Sequence, residues 1–87
     1  MQREKKQQAE KLENEIMSSI LTLEKQFDMN EDNGDFIFAI SLGIHFGFGR
    51  SGTRVVVYYS HAFRGTQSKI VKTADEAMEF FKENGIE

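Results

Sequence analysis

The sequence predicts an α+β fold, ordered α-β-β-β-α, with a three-stranded antiparallel sheet and both helices packed on one face. Three patterns carry that expectation. An apolar stripe at helical spacing lies near the N-terminus, a run of apolar residues at every second position fills the middle, and a capped amphipathic segment closes the chain.

The first pattern is Leu12, Ile16, Ile20, Leu23 and Phe27, flanked by Met17 and Leu21. Steps of three and four place these side chains on one side of a helix. The spacing predicts a helix over 5–27. Residues 1–11 are polar, so its first turns are read as a helical extension that frays into solvent. Residues 28–35 read as a loop, in which Asn33-Gly34 supplies positive-φ positions.

The second pattern is the strongest. Phe36, Phe38, Ile40, Leu42, Ile44, Phe46 and Phe48 alternate with Ile37, Ala39, Ser41, Gly43, His45 and Gly47. Period two means a strand with one apolar face and one face of small residues. A straight strand over 36–48 would span about 43 Å. That is too long for a domain of this size, so a bend or bulge is expected near Gly43 or Gly47. Residues 49–52 read as a turn and residues 53–60 as a second, β-branched strand. With Ser51-Gly52 as the turn, Arg50 would pair with Thr53 and Phe48 with Val55. Val55, Val57 and Tyr59 would then share the phenylalanine face. A loop over 61–66 leads to a short third strand over 68–72.

The third pattern predicts a helix over 74–84. Thr73 and Glu76 stand at capping-box spacing, Ala74, Ala77, Met78 and Phe81, with Phe80 beside them, give the apolar face, and Gly85-Ile86 suit a left-handed stop.

Composition bounds function by exclusion. The chain of 87 residues is read as a single domain, 1–87, with little room for a deep enclosed site. It has no cysteine, which removes disulfides, thiol nucleophiles and cysteine-held metals and suits a reducing cytoplasm. A cytoplasmic location is expected, with no secretory signal and no membrane segment. Gly47-Phe-Gly49-Arg-Ser-Gly52 spells G-x-G-x-x-G, but a strand follows it where a dinucleotide site needs a helix. The two histidines, His45 and His61, have no acid near them in sequence, since none occurs between Asp35 and Asp75. No catalytic residue, metal ligand or cofactor is expected, and the protein is read as a non-enzyme.

Charge is segregated. Residues 1–35 carry five Lys/Arg against nine Asp/Glu, residues 36–74 carry five Lys/Arg and no acid, and residues 75–87 carry one Lys against five acids. Two candidate surfaces follow. His45, Arg50, Arg54, Tyr58, Lys69 and Lys72 would make a basic, partly aromatic sheet face for phosphates or an acidic protein. Asp75, Glu76, Glu79 and Glu83 would make an acidic helix face for a basic partner. Because Met17 and Leu21 widen the stripe of the first helix, a homodimer through that helix is also expected.

The α-β-β-β-α order resembles that of double-stranded-RNA-binding domains, which place a lysine cluster at the start of the last helix. Here that position reads Thr73-Ala-Asp-Glu76 and is acidic. Residues 53–81 are similar in element order to the sheet-reading DNA-binding arm of some tyrosine recombinases. In size and acidity the chain is similar to small α+β proteins of phages and mobile elements, including inhibitors of host defence systems. The expected function is a protein-binding module, inhibitory in the manner of those proteins. Nucleic-acid binding through the open sheet face is the alternative. Two acidic helices would repel a polyanion from most directions, which favours the protein partner.

Overall fold

The computed structural model describes residues 2–86, and the side chains of residues 7–86. The chain is α+β, but its sheet has five strands rather than three. Helix α1 (Gln2–Leu21) precedes β1 (Asp28–Asp32), β2 (Asp35–Ser41), β3 (Ile44–Ser51), β4 (Arg54–His61) and β5 (Gly65–Val71), and α2 (Ala74–Glu83) follows. The strands form an antiparallel meander in sequence order, with β1 and β5 at the edges.

The expected long strand over 36–48 is a hairpin. Leu42-Gly43 reverses the chain, with Gly43 at φ +79°, and Ser41 pairs with Ile44. The reversal alone would exchange the faces, since it sets odd Ser41 against even Ile44, but the one-residue register shift that follows restores the alternation. In the hairpin Phe36 faces Phe48 and Phe38 faces Phe46, so even positions meet even positions and all stay on one face. The stacked ring pairs, each 5.1 Å between centroids, are the product. The irregularity expected near Gly43 or Gly47 lies instead before the turn, between Ala39 and Ser41, and at Gly43 the chain reverses. Residues 28–32, read as loop, form β1 against β2 through the Asn33-Gly34 turn, both of whose residues have positive φ. The β3–β4 register also differs from expectation: Phe48 pairs with Val57, and Arg50 with Val55. This slip of two residues keeps every side chain on its expected face.

Helix α1 ends at Leu21, six residues before the expected Phe27. Thr22 and Leu23 close tight bonds to Ser19 and Ile20, and the Thr22 hydroxyl also donates to the Ser19 carbonyl at 2.7 Å. Phe27 reaches the core from the loop, edge-on to Phe46 at 5.0 Å. The N-terminal half contributes to packing through buried Ala9, so the extension is not wholly solvated. Met17 packs against the core, which leaves Leu21, at 58% exposure, as the large apolar residue that α1 presents to solvent.

Both helices lie side by side on the even-numbered phenylalanine face. The core is Ile16 and Ile20 of α1, Phe38, Phe46, Phe48, Val55, Val57 and Val71 of the sheet, and Ala77, Phe80 and Phe81 of α2. The ends of α2 follow the sequence. The Thr73 hydroxyl accepts from the Glu76 amide at 3.1 Å. At the other end Gly85 (φ +84°) and Ile86 donate to Lys82 and Phe81, and Ile86 is buried. Thr73→Ala is expected to cost about 1 kcal/mol. An unchanged urea midpoint would show that the cap contributes nothing.

Candidate functional site

Cross-strand partners share a face, so the register sorts the expected site residues. His45 lies opposite Ala39 and Ser60, Tyr58 opposite Gly47, and Arg54 opposite Ser51, all on the face away from the helices. Arg50 lies opposite Val55 on the helix side, where it bonds Glu13 and lies 3.7 Å from Glu10. Lys69 lies opposite Val57, also on the helix side, though exposed at the sheet edge. Lys72 falls beyond the end of β5. The six residues therefore do not form one surface. The same register brings Asp28, Asp32 and Asp35 onto the outer face, opposite Ala39 and each other. That face carries three carboxylates against the single guanidinium of Arg54, so it is not basic. Nothing in the sequence pattern of β1 marks these acids as sheet residues, since the strand is exposed along its whole length.

Tyr58 is the most constrained residue of the outer face. Gly47 and Gly49 are buried there although they lie on the uncovered side. The Tyr58 ring lies over Gly47 and the Asp35 carboxylate lies over Gly49, each where a Cβ would otherwise stand. The glycines thus let Tyr58 fold down rather than leaving it uncovered. His45 meets its ring edge at 6.0 Å. Burial, with the Asp35 charge adding to it, pushes the Tyr58 phenol up to about 12. A raised pKa means the folded state keeps the proton after the unfolded chain has lost it. Tyr58 therefore contributes stability that is complete below pH 10 and is lost as pH rises from 10 towards 12. The urea midpoint is expected to fall across that window and to fall less in Tyr58→Phe. An identical slope in the two proteins would contradict the assignment.

On α2, Asp75, Glu79 and Glu83 are exposed and Glu76 is half-buried. Met78 and Lys82 interrupt them in a shallow depression. A groove lies between α1 and the ends of β4 and β5, and includes Arg54, Ile70 and Lys72. Among the described residues no group of three or more His, Asp or Glu is placed to hold a metal ion, and no helix is long and apolar enough to cross a membrane.

The most anomalous surface is one that sequence reasoning missed. Leu42 and Phe63 are 102% and 94% exposed, at the tips of the β2–β3 and β4–β5 turns. The two turns lie at the same end of the sheet and are tied together: the Ala62 amide donates to the Gly43 carbonyl at 2.9 Å. The second turn is braced further. The Phe63 amide donates to His61 Nδ1 at 3.1 Å, the Arg64 amide to the His61 carbonyl at 3.2 Å, and the Ser60 and Thr66 hydroxyls meet at 3.0 Å. Two large apolar side chains are thus held in water by a fixed backbone. Leu42 was hidden in the alternation, which placed it with the core. Phe63 stood in a segment read only as a loop, where an aromatic flanked by His61 and Arg64 was the available signal.

No family model matches the chain, and no curated protein or solved structure matches it.

Proposed function

We propose that this is a non-enzymatic protein-binding module that docks through the Leu42–Phe63 tip. The observation that carries the reading is that tip. Isolated exposed apolar residues are ordinary, but here two large ones stand on turns that are hydrogen-bonded to each other, and a braced backbone loses little entropy on binding. Burying each in a partner's pocket would contribute about 1.5–3 kcal/mol. A membrane surface is a poorer fit, because Arg64 is the one cation in the two turns and stable anchoring needs a second signal. Nucleic acid is disfavoured by the outer face, where Asp28, Asp32 and Asp35 outnumber Arg54.

The test is affinity capture from the source cell's lysate with the wild type, with Leu42→Ser/Phe63→Ser, and with Glu79→Lys/Glu83→Lys. The tip variant is expected to keep its stability within about 0.5 kcal/mol, since both side chains are already in water. It should lose the proteins that the wild type and the helix variant both retain. Capture that survives the tip variant would refute the reading, as would capture that vanishes on nuclease treatment.

A further inference from the structure

The two edges of the sheet are not alike, and the difference points to what the partner supplies. An edge strand directs alternate N–H and C=O groups away from its neighbour, and proteins guard such edges with charge, bulges or a covering element. Strand β1 is guarded: three of its five residues, Asp28, Glu31 and Asp32, are acids. Strand β5 is open. Gly65–Ile70 is exposed throughout, its pairing with β4 runs without a register shift, and it contains no proline. It carries one charge, Lys69, and is flanked by Arg64 and Lys72. Among the described residues none of these three cations is in an ion pair, in contrast to Arg50. The edge also begins two residues after Phe63, so a partner seated on the tip lies near its start.

We infer that β5 accepts an extended segment of the partner protein as a sixth strand, and that this segment alternates acidic and apolar residues. The inference rests on the protein-binding reading. Backbone pairing would satisfy the open edge whatever the sequence. The side-chain preference comes from the two faces of β5. On the helix side an incoming residue would neighbour Lys69, which favours an acid. On the outer side it would neighbour Ile70, which is 48% exposed and opposite Val56, and this favours an apolar side chain. Arg64 and Lys72 extend the attraction for acid to both ends.

The probe is a synthetic peptide of alternating glutamate and valine, as long as β5, titrated into isotope-labelled full chain. Amide shifts concentrated in residues 65–71 are expected, together with slowed hydrogen exchange there. N-methylation of alternate backbone nitrogens on the ladder-facing edge of the peptide should abolish binding with its side chains intact. Lys69→Glu/Lys72→Glu should weaken it about tenfold, and a lysine–valine peptide should bind the wild type less tightly than the glutamate–valine one. The inference is overturned by shifts confined to the outer face or the helices, by equal binding of the N-methylated peptide, or by no binding. It is also overturned if the chain alone gains mass with concentration and Lys69→Glu prevents this, which would give the edge to a second copy. The tip variant separates the two readings. Peptide binding at β5 with unaltered lysate capture by Leu42→Ser/Phe63→Ser would refute the tip. Tip-dependent capture without peptide binding would refute only the edge.

Discussion

Arg50→Ala is expected to cost about 3 kcal/mol, because it strands a carboxylate inside the protein. Glu13 is 6% exposed and sits on the core side of α1 between Ala9 and Ile16, and the Arg50 guanidinium is its hydrogen-bonded partner. Arg50 retains about a third of its side-chain exposure, which puts the cost at the low end of what breaking a buried pair does. Removing both charges is a different experiment. Glu13→Leu with Arg50→Met replaces the pair with apolar groups of similar length, and the outcome should lie within about 1 kcal/mol of wild type or above it. Urea midpoints with unchanged m-values would measure both, and Arg54→Ala, at an exposed position, supplies the control. If Arg50→Ala and Arg54→Ala were equally mild, Glu13 would be reaching water in solution and the pair would be a surface contact.

That pair is also encoded in the sequence periodicity. Position 50 continues the even series of Phe46 and Phe48, so parity alone assigns it to the helix face. Position 13 falls on the stripe of Ala9, Ile16 and Ile20, at steps of four, three and four. A charge of each sign on two facing apolar surfaces predicts a buried pair. Reading Arg50 as part of a turn disguised this.

Other features were legible for plain physical reasons. Both helices, the phenylalanine face and the stop at Gly85-Ile86 depend on local periodicity and local backbone bonds, and these are written in adjacent residues. The strand count was not legible. A two-residue reversal at Leu42-Gly43, combined with the one-residue register shift between Ala39 and Ser41, returns even positions to the same face, so period two is as compatible with a bulged hairpin as with one long strand. Strand β1 is exposed along its whole length and shows no alternation at all. The candidate sites suffered from the same gap. Without β1 the outer face seemed free of acid, and without the reversal Leu42 seemed part of the core. Charge segregation along the chain therefore does not become charge segregation across the sheet: the meander folds Asp28, Asp32 and Asp35 onto the face that Arg54 and His45 occupy.

Gly47→Ala should be among the most damaging single-methyl additions in this chain, and its contrast with Gly49→Ala tests the outer face. Both glycines lie on β3, and both have a side chain folded over them. A Cβ at Gly47 would collide with the Phe36 carbonyl oxygen, which is backbone of the neighbouring strand, and would stand 2.7 Å from the Tyr58 hydroxyl. Backbone cannot step aside without opening the β2–β3 ladder, above which Phe36 stacks on Phe48. A cost of about 3 kcal/mol is expected, the upper range for overpacking. At Gly49 the obstructing atom is the Asp35 carboxylate, the far end of a flexible side chain, and the Asp35 Cα stays 3.4 Å away. Asp35 can rotate into solvent. The gain from replacing glycine within a strand, up to about 1 kcal/mol, then offsets most of the disturbance. Gly49→Ala should therefore be near neutral in stability and should lower the Tyr58 pKa by displacing the Asp35 charge that helps to raise it. Tyrosinate absorbance against pH reads the second effect and urea denaturation the first. Equal costs at the two glycines would mean that the Tyr58 ring and the Asp35 carboxylate are not packed against the sheet as described.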